Sequence, residues 1–231
     1  MTTKATFIKV PLQMAEKKMN PTFPEFNKAL AAALGAEEAH VRHCVRHCRE
    51  ADLLARGRPG GGAPVVTSED AAKALLAVLR ATNPLDAPTA LRVVNATVLW
   101  GKLGREVLRH KDLTLWTEPE LPDVPGLPED WSSLTFSALL TAIIDARRAD
   151  PEFRLVGAIK VNRGLSPLSF FEWVDAGSEV MTLDFSYPPT NDSGDIFAFQ
   201  EPEAHGITIQ ASCGAGVLLD LADWLEGRPS D

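Results

Sequence analysis

Residues 27–54, NKALAAALGAEEAHVRHCVRHCREADLL, set the tightest limits on what this chain can fold into. Val41, Cys44, Val45 and Cys48 recur at i, i+3, i+4 and i+7, the spacing that puts four apolar side chains on one face of an α-helix. Arg42, Arg46 and Arg49 share a different face of the same helix, roughly opposite that seam. A helix with both faces has to lie at a boundary, with the seam turned to a core and the arginines turned to solvent or to an anion. The preceding segment has its own apolar spacing at Leu30, Ala31 and Leu34. Gly35 comes directly after it and supplies the positive φ that a tight helix end favours. The sequence therefore predicts a helix, a turn and a second helix.

Counted from Asn27, the stretch resembles the twenty-residue helix-turn-helix signature, with small Ala31 where the helices cross, Gly35 in the turn, and apolar Leu30, Leu34, Val41 and Cys44 between them. The adjoining residues, READLLARGRPGGGAPVVT, resemble the continuation in winged-helix regulators, with Arg56 and Arg58 flanking a Pro59–Gly62 turn ahead of Val65 and Val66. The resemblance covers residues 24–67 and extends to small phage- or prophage-encoded regulators. It implies that Glu37, Glu38, Ala39, Arg42, His43 and Arg46 face base edges, and that Arg49, Arg56 and Arg58 meet phosphates. It also implies double-stranded DNA as partner and a homodimer, because one recognition helix reads too few base pairs to be specific.

The charge distribution agrees with such a division. The 231 residues carry a formal charge of −8, yet residues 1–65 hold 10 Lys+Arg against 6 Asp+Glu, and residues 66–231 hold 13 against 25. A basic head on an acidic body is the asymmetry expected when only the head touches phosphates. Three cysteines, two of them one helical turn apart, make no disulfide framework and point to a reducing compartment. The N-terminal stretch lacks the apolar run of a signal peptide, and no window has the ~18 apolar residues of a membrane span. The expectation is a cytoplasmic protein with no membrane partner.

The remaining chain reads in order. Residues 5–10 suggest a strand and 12–19 a short helix. Thr67, Ser68, Glu69 and Asp70 form a helix start with a capping hydroxyl and acidic first turn, predicting a helix over 71–81. A second is predicted over 88–110, with Leu91, Val94, Val98, Leu99 and Leu103 as its apolar face. Prolines at 119, 122, 125 and 128 have the three-residue period of polyproline II and predict a stiff, exposed connector. Beyond it come a helix over 132–149, strands over 154–161, 169–175, 179–186, 196–200 and 206–212, and a closing helix over 215–226.

Two clusters invite chemistry. His40, His43, Cys44, His47 and Cys48 are dense in metal-ligating types, but one helix rarely completes a zinc site and no C-x-x-C pair supplies the missing ligands. The cysteines read as core residues and the histidines as an edge, so no metal or cofactor is expected. Cys213, before Gly214 and Gly216, sits at a predicted strand-to-helix turn where a helix N-terminus would lower a thiol pKa, with His205 the nearest base. No acid completes a catalytic set, and the glycines suit a turn equally well, so no enzyme is expected. Asp184, Asp192 and Asp195 read as solvated turn residues.

The expected class is α+β: an N-terminal winged helix-turn-helix with helical extension over residues 1–112, a Pro-rich connector over 113–131, and a C-terminal antiparallel sheet covered by helices over 132–231, serving assembly or partner binding. The expected function is a sequence-specific DNA-binding transcriptional regulator. The alternatives are a phage-related DNA-packaging or replication accessory protein and a protein-binding module that does not engage DNA.

Overall fold

The computed structural model describes residues 21–56, 64–101, 122–128, 133–163, 169–174, 180–186 and 210–228. Helix α1, Phe23–Leu34, begins earlier than the apolar spacing alone suggests because Thr22 caps it. The Glu25 carboxylate, at the third helical position, accepts from the Thr22 N–H at 3.3 Å and from its hydroxyl at 2.7 Å, which satisfies groups a helix start leaves open. Its far end closes at Gly35, φ +59°, with Gly35 N–H donating to the Ala32 carbonyl and Ala36 N–H to that of Ala31. These two bonds are the Schellman pattern.

Two residues later α2, Glu38–Glu50, begins. Its predicted seam is the buried one: Val41, Cys44, Val45 and Cys48 are all inside. The helix ends in the same pattern as α1, with Asp52 in place of glycine at φ +58°; Asp52 N–H donates to the Arg49 carbonyl and Leu53 N–H to that of Cys48.

Helix α3, Ser68–Arg80, is the centre of the molecule. Thr67 caps it as predicted, its hydroxyl accepting from Asp70 N–H at 3.1 Å, while the Asp70 carboxylate accepts from the Thr67 N–H and hydroxyl and from Ala55 N–H at 2.9 Å. Ala71, Ala72, Ala74, Leu75, Leu76, Ala77 and Val78 are all buried. Apart from the face that carries the Glu69–Lys73 pair, α3 is apolar and has to be surrounded, and it touches helices on several sides and the sheet.

Of the helix predicted over 88–110, residues 102–110 lie outside the described residues, and 88–101 are not one helix. A 3₁₀ turn at Pro84–Asp86 leads into a short α4, Ala87–Asn95, and Val98–Gly101 is instead strand β1. The Thr97 hydroxyl donates to the Val94 carbonyl at 2.6 Å and Leu99 N–H donates to the Leu134 carbonyl at 2.8 Å, so the chain leaves α4 and enters a sheet. The connector also departs from expectation. Pro122 and Val124 are buried, and the chain turns at Pro125 and Gly126, where φ is +85°. Proline followed by glycine at positive φ is type II turn chemistry, which overrides the three-residue proline period.

Helix α5, Phe136–Ala149, is capped by the Thr135 hydroxyl. Strands β2 (Gly157–Asn162), β3 (Ser169–Val174), β4 (Val180–Ser186) and β5 (Gln210–Gly214) come next, then α6, Gly216–Leu225. The sheet runs β1-β4-β3-β2-β5 with every neighbouring pair antiparallel. Gly157 is fixed by closeness rather than by φ: a Cβ there would lie 2.2 Å from the Glu172 carbonyl oxygen. Ile159, Val161, Phe171, Trp173, Met181, Leu183 and Phe185 form the buried face, with Phe136 of α5 4.7 Å from the Phe185 ring.

The chain is thus α+β. The expected division at the proline-rich stretch does not coincide with a break in packing. β1 hydrogen-bonds to β4, α3 packs on α5 and α6, α1 packs on α6, and the buried apolar residues form one cluster. An ionic lock joins α5 to α6, with Arg147 gripping Asp223 at 2.6 Å, Arg228 reaching the same carboxylate at 3.0 Å and Arg148 binding Glu226 at 2.7 Å. Arg148 also donates to the Ser68 hydroxyl of α3 at 2.8 Å, which carries the lock across to the N-terminal half.

Of the predicted wing, only its two margins are described, and Arg58 lies outside the described residues. Val65 bridges Thr22, and Val66 N–H donates to the Pro21 carbonyl at 2.9 Å, so the returning chain lies beside the entry to α1. The segments 5–10, 12–19 and 196–200 also lie outside the described residues.

Candidate nucleic-acid interface

With its seam buried against α1, α3 and α4, helix α2 shows solvent a narrow row. Glu38, Arg42, Arg46 and Glu50, each four residues on from the last, are the exposed ones. The row is roughly 18 Å long at 1.5 Å per residue. Carboxylates stand at both ends and arginines in the middle. Arg42 has no ion pair among the described residues, whereas Arg46 stands 3.5 Å from Glu50, both side chains more than half exposed at 55% and 60%. An ion pair so open to water has little net strength, so Arg46 is readily released to another anion.

The other expected residues fall into three places. Glu37 occupies the position just before α2 and is exposed; Glu38 opens the helix; His43 is half-buried beside the row. Arg49 is turned inward, its guanidinium 4.5 Å from the Phe23 ring centroid and its Nε donating to the Ala55 carbonyl at 3.1 Å. Arg56 folds back on the end of α2, pairing with Asp52 at 2.7 Å and donating to the Arg49 and Glu50 carbonyls. The last carbonyls of a helix lack intrahelical partners, so Arg56 completes the C-terminal cap while it adds positive charge; Arg49 instead ties the helix to the following loop at Ala55. Arg46, Arg49, Glu50 and Arg56 line one shallow concavity, and Glu37 and Glu38 lie at the other end of the helix.

The histidines and cysteines of α2 do not converge. His40 Nε2 lies 3.6 Å from Cys44 Sγ, and His47 turns away to Glu50 at 3.1 Å. Among the described residues no three His, Cys, Asp or Glu side chains gather as a metal would need. Burial pushes the thiols up, Cys44 to about 11 and Cys48 to about 12. Cys213 lies within β5 opposite Ile159, not at the turn the sequence suggests, and burial raises it to about 11. The thiol-lowering effect expected of the α6 N-terminus is therefore not the outcome: removal from water dominates. His205, Asp192 and Asp195 lie outside the described residues, and Asp184 pairs with Phe170 on the β3–β4 ladder.

One residue that no sequence pattern marks enters the same region. Arg163, at the end of β2, donates its Nε to the Leu79 carbonyl at 2.8 Å and lines a cavity with His40 of α2. Nothing local signals it, because its partner is 84 residues away.

Fold and surface together define an α+β protein that presents an arginine-centred helix beside a tight interhelical turn. Against protein-family models, characterised proteins and solved structures, the chain finds no match. No helix among the described residues is long and apolar enough to cross a membrane.

Proposed function

We propose that this protein is a sequence-specific DNA-binding transcriptional regulator that acts as a homodimer, with α1, the Gly35 turn and α2 as a helix-turn-helix of winged type and α2 as the reading helix. The observation that carries this reading is the exposed row of α2, with Arg42 and Arg46 projecting at its middle from a helix whose opposite face is locked into the core. A rigidly held helix offering two planar, five-donor side chains suits bidentate contact with guanine O6 and N7. Glu37 or Glu38 accepts from cytosine N4, and His43 lies at the margin. Arg49, Arg56 and Arg58 supply charge towards the phosphates. The excess of cations over residues 1–65 supports the same direction of approach.

The test is selection of bound fragments from random DNA by the full chain at two salt concentrations. Enriched half-sites containing G·C pairs, with binding that weakens by on the order of four to eight phosphate neutralisations per dimer, are the expected result. Absence of any enriched sequence overturns the proposal. One observation favours a second reading, a protein-binding module: the carboxylates Glu38 and Glu50 bracket the arginines, a mixed row that suits a complementary protein helix as well as a groove. No retention of DNA at low salt would favour it. An oligomer larger than a dimer in light scattering would instead favour a DNA-packaging or replication accessory protein.

A further inference from the structure

Where the α1–α2 turn, the end of α3 and the sheet meet there is a cavity of about 290 Å³. Leu34, Val78, Leu79 and Ala211 make its walls apolar, and its polar groups are Arg163, His40 and Ser212. Among the described residues no carboxylate lines it. Arg163 has no carboxylate partner among the described residues, and its one hydrogen bond there, from Nε to the Leu79 carbonyl at 2.8 Å, fixes the guanidinium at the cavity. Its charge is felt in the interior, where it favours the thiolate of Cys44, although burial outweighs it. An oriented, unneutralised guanidinium beside an apolar wall is unusual, because half-buried charges are ordinarily paired.

From this we infer that the cavity is a binding site for a small organic carboxylate, its anionic end held by Arg163 and its short apolar part against Leu34, Val78 and Leu79. The volume lies at the low end of the roughly 300–1,000 Å³ typical of ligand pockets, which selects a small metabolite and excludes a nucleotide-sized one. Arg163 meets a carboxylate through a charge-assisted hydrogen bond, roughly twice as strong as a neutral one. Ser212 and His40 supply further polar contacts. The ligand would touch the turn that sets α2 against the body of the protein, so it is placed to change how α2 is presented; that regulatory consequence rests on the proposed DNA-reading role, whereas binding itself does not.

Calorimetric titration of the full chain without DNA decides the matter, using butanoate, hexanoate, octanoate and benzoate as probes and the corresponding primary alcohols as uncharged counterparts. The expected result is one-to-one saturation by at least one carboxylate, with its alcohol failing to saturate. Arg163→Gln should lower that affinity at least about tenfold by removing the charged partner. Ala211→Leu, which adds bulk to the cavity wall and keeps the Arg163 charge, should lower it comparably; if Arg163→Gln unfolds the protein, Ala211→Leu decides. Saturation unchanged in both folded variants, or no saturation by any of the four carboxylates, overturns the site. A carboxylate that binds here in a protein that selects no DNA sequence leaves the site standing and counts only against the DNA reading.

Discussion

At the scale of single residues, the arginines of α2 and of the loop after it are chemically alike yet differently placed. Arg42 and Arg46 are exposed, whereas Arg49 is hydrogen-bonded to the following loop at Ala55 and Arg56 folds back from that loop onto the last carbonyls of α2. On the proposed reading, Arg42→Ala or Arg46→Ala costs roughly 1–3 kcal/mol on a selected site and leaves non-specific binding nearly intact. Arg56→Ala should instead weaken binding to all sequences alike and lower the melting temperature, since it also uncovers the α2 carbonyls. Competition binding on selected and scrambled duplexes, paired with a thermal melt, separates the two outcomes. The buried thiols give a second expectation. Replacing Cys44 and Cys48 together with serine should destabilise the protein by about 1–3 kcal/mol, because each hydroxyl enters a space that offers no assured partner. With both thiols held protonated well above neutral pH, alkylation of the native protein near neutral pH should be slow and should accelerate on unfolding.

Among the elements, α3 depends on a single carboxylate. Asp70 closes the α3 cap and also receives Ala55 N–H from the loop after α2, so one side chain ties the proposed reading helix to the central one. Asp70→Ala should cost about 1–3 kcal/mol in a urea melt, the loss of a cap plus an unsatisfied backbone donor. Asp70→Asn, which keeps an acceptor, should recover part of it. A loss under about 0.5 kcal/mol, the scatter of surface substitutions, would show that the loop is held by other means.

For the whole molecule, the packing of α3, α5, α6 and the sheet into one core predicts that a fragment ending at residue 112 has no cooperative melt, since it would expose the α3 faces that α5 and α6 cover. The ionic lock adds a pH signature. Burial alone would raise the Asp223 carboxyl, but hydrogen bonds and charge from Arg147 and Arg228 outweigh it and leave it lowered. A carboxylate lower in the folded than in the unfolded state stabilises the fold above its unfolded pKa of about 4, and that contribution is lost as pH falls through the folded value. Asp223→Asn should therefore destabilise most at neutral pH, by about 3–5 kcal/mol for a broken buried pair, with the difference from the parent shrinking as pH falls below about 4. Asp220 is raised, by burial and then by Asp223, and acts in the opposite sense. Comparing the two proteins across pH reads the Asp223 contribution together with the relief of Asp220, which Asp223 helps to raise.

Local chemistry made much of this fold legible. The α2 seam, the Gly35 turn, the Thr67 start and the β2–β4 strands are written in spacings of a few residues, where one side chain's period or φ decides the outcome. Helical spacing likewise puts Arg42 and Arg46 on one exposed face, but the third arginine it assigns there, Arg49, is turned inward onto Phe23 and Ala55. What only the tertiary structure decided depends on partners far away in sequence. Residues 98–101 carry helical apolar spacing, yet Leu99 N–H finds Leu134 and the strand finds β4, and those bonds outweigh local preference. The prolines from 122 to 128 have an extended period, yet Val124 is buried and Pro125–Gly126 turns the chain. The single core, the inward turn of Arg49, the capping use of Arg56 and the cavity beside Arg163 arise the same way: burial and charge pairing are properties of neighbours in space, and a sequence names neighbours only along the chain.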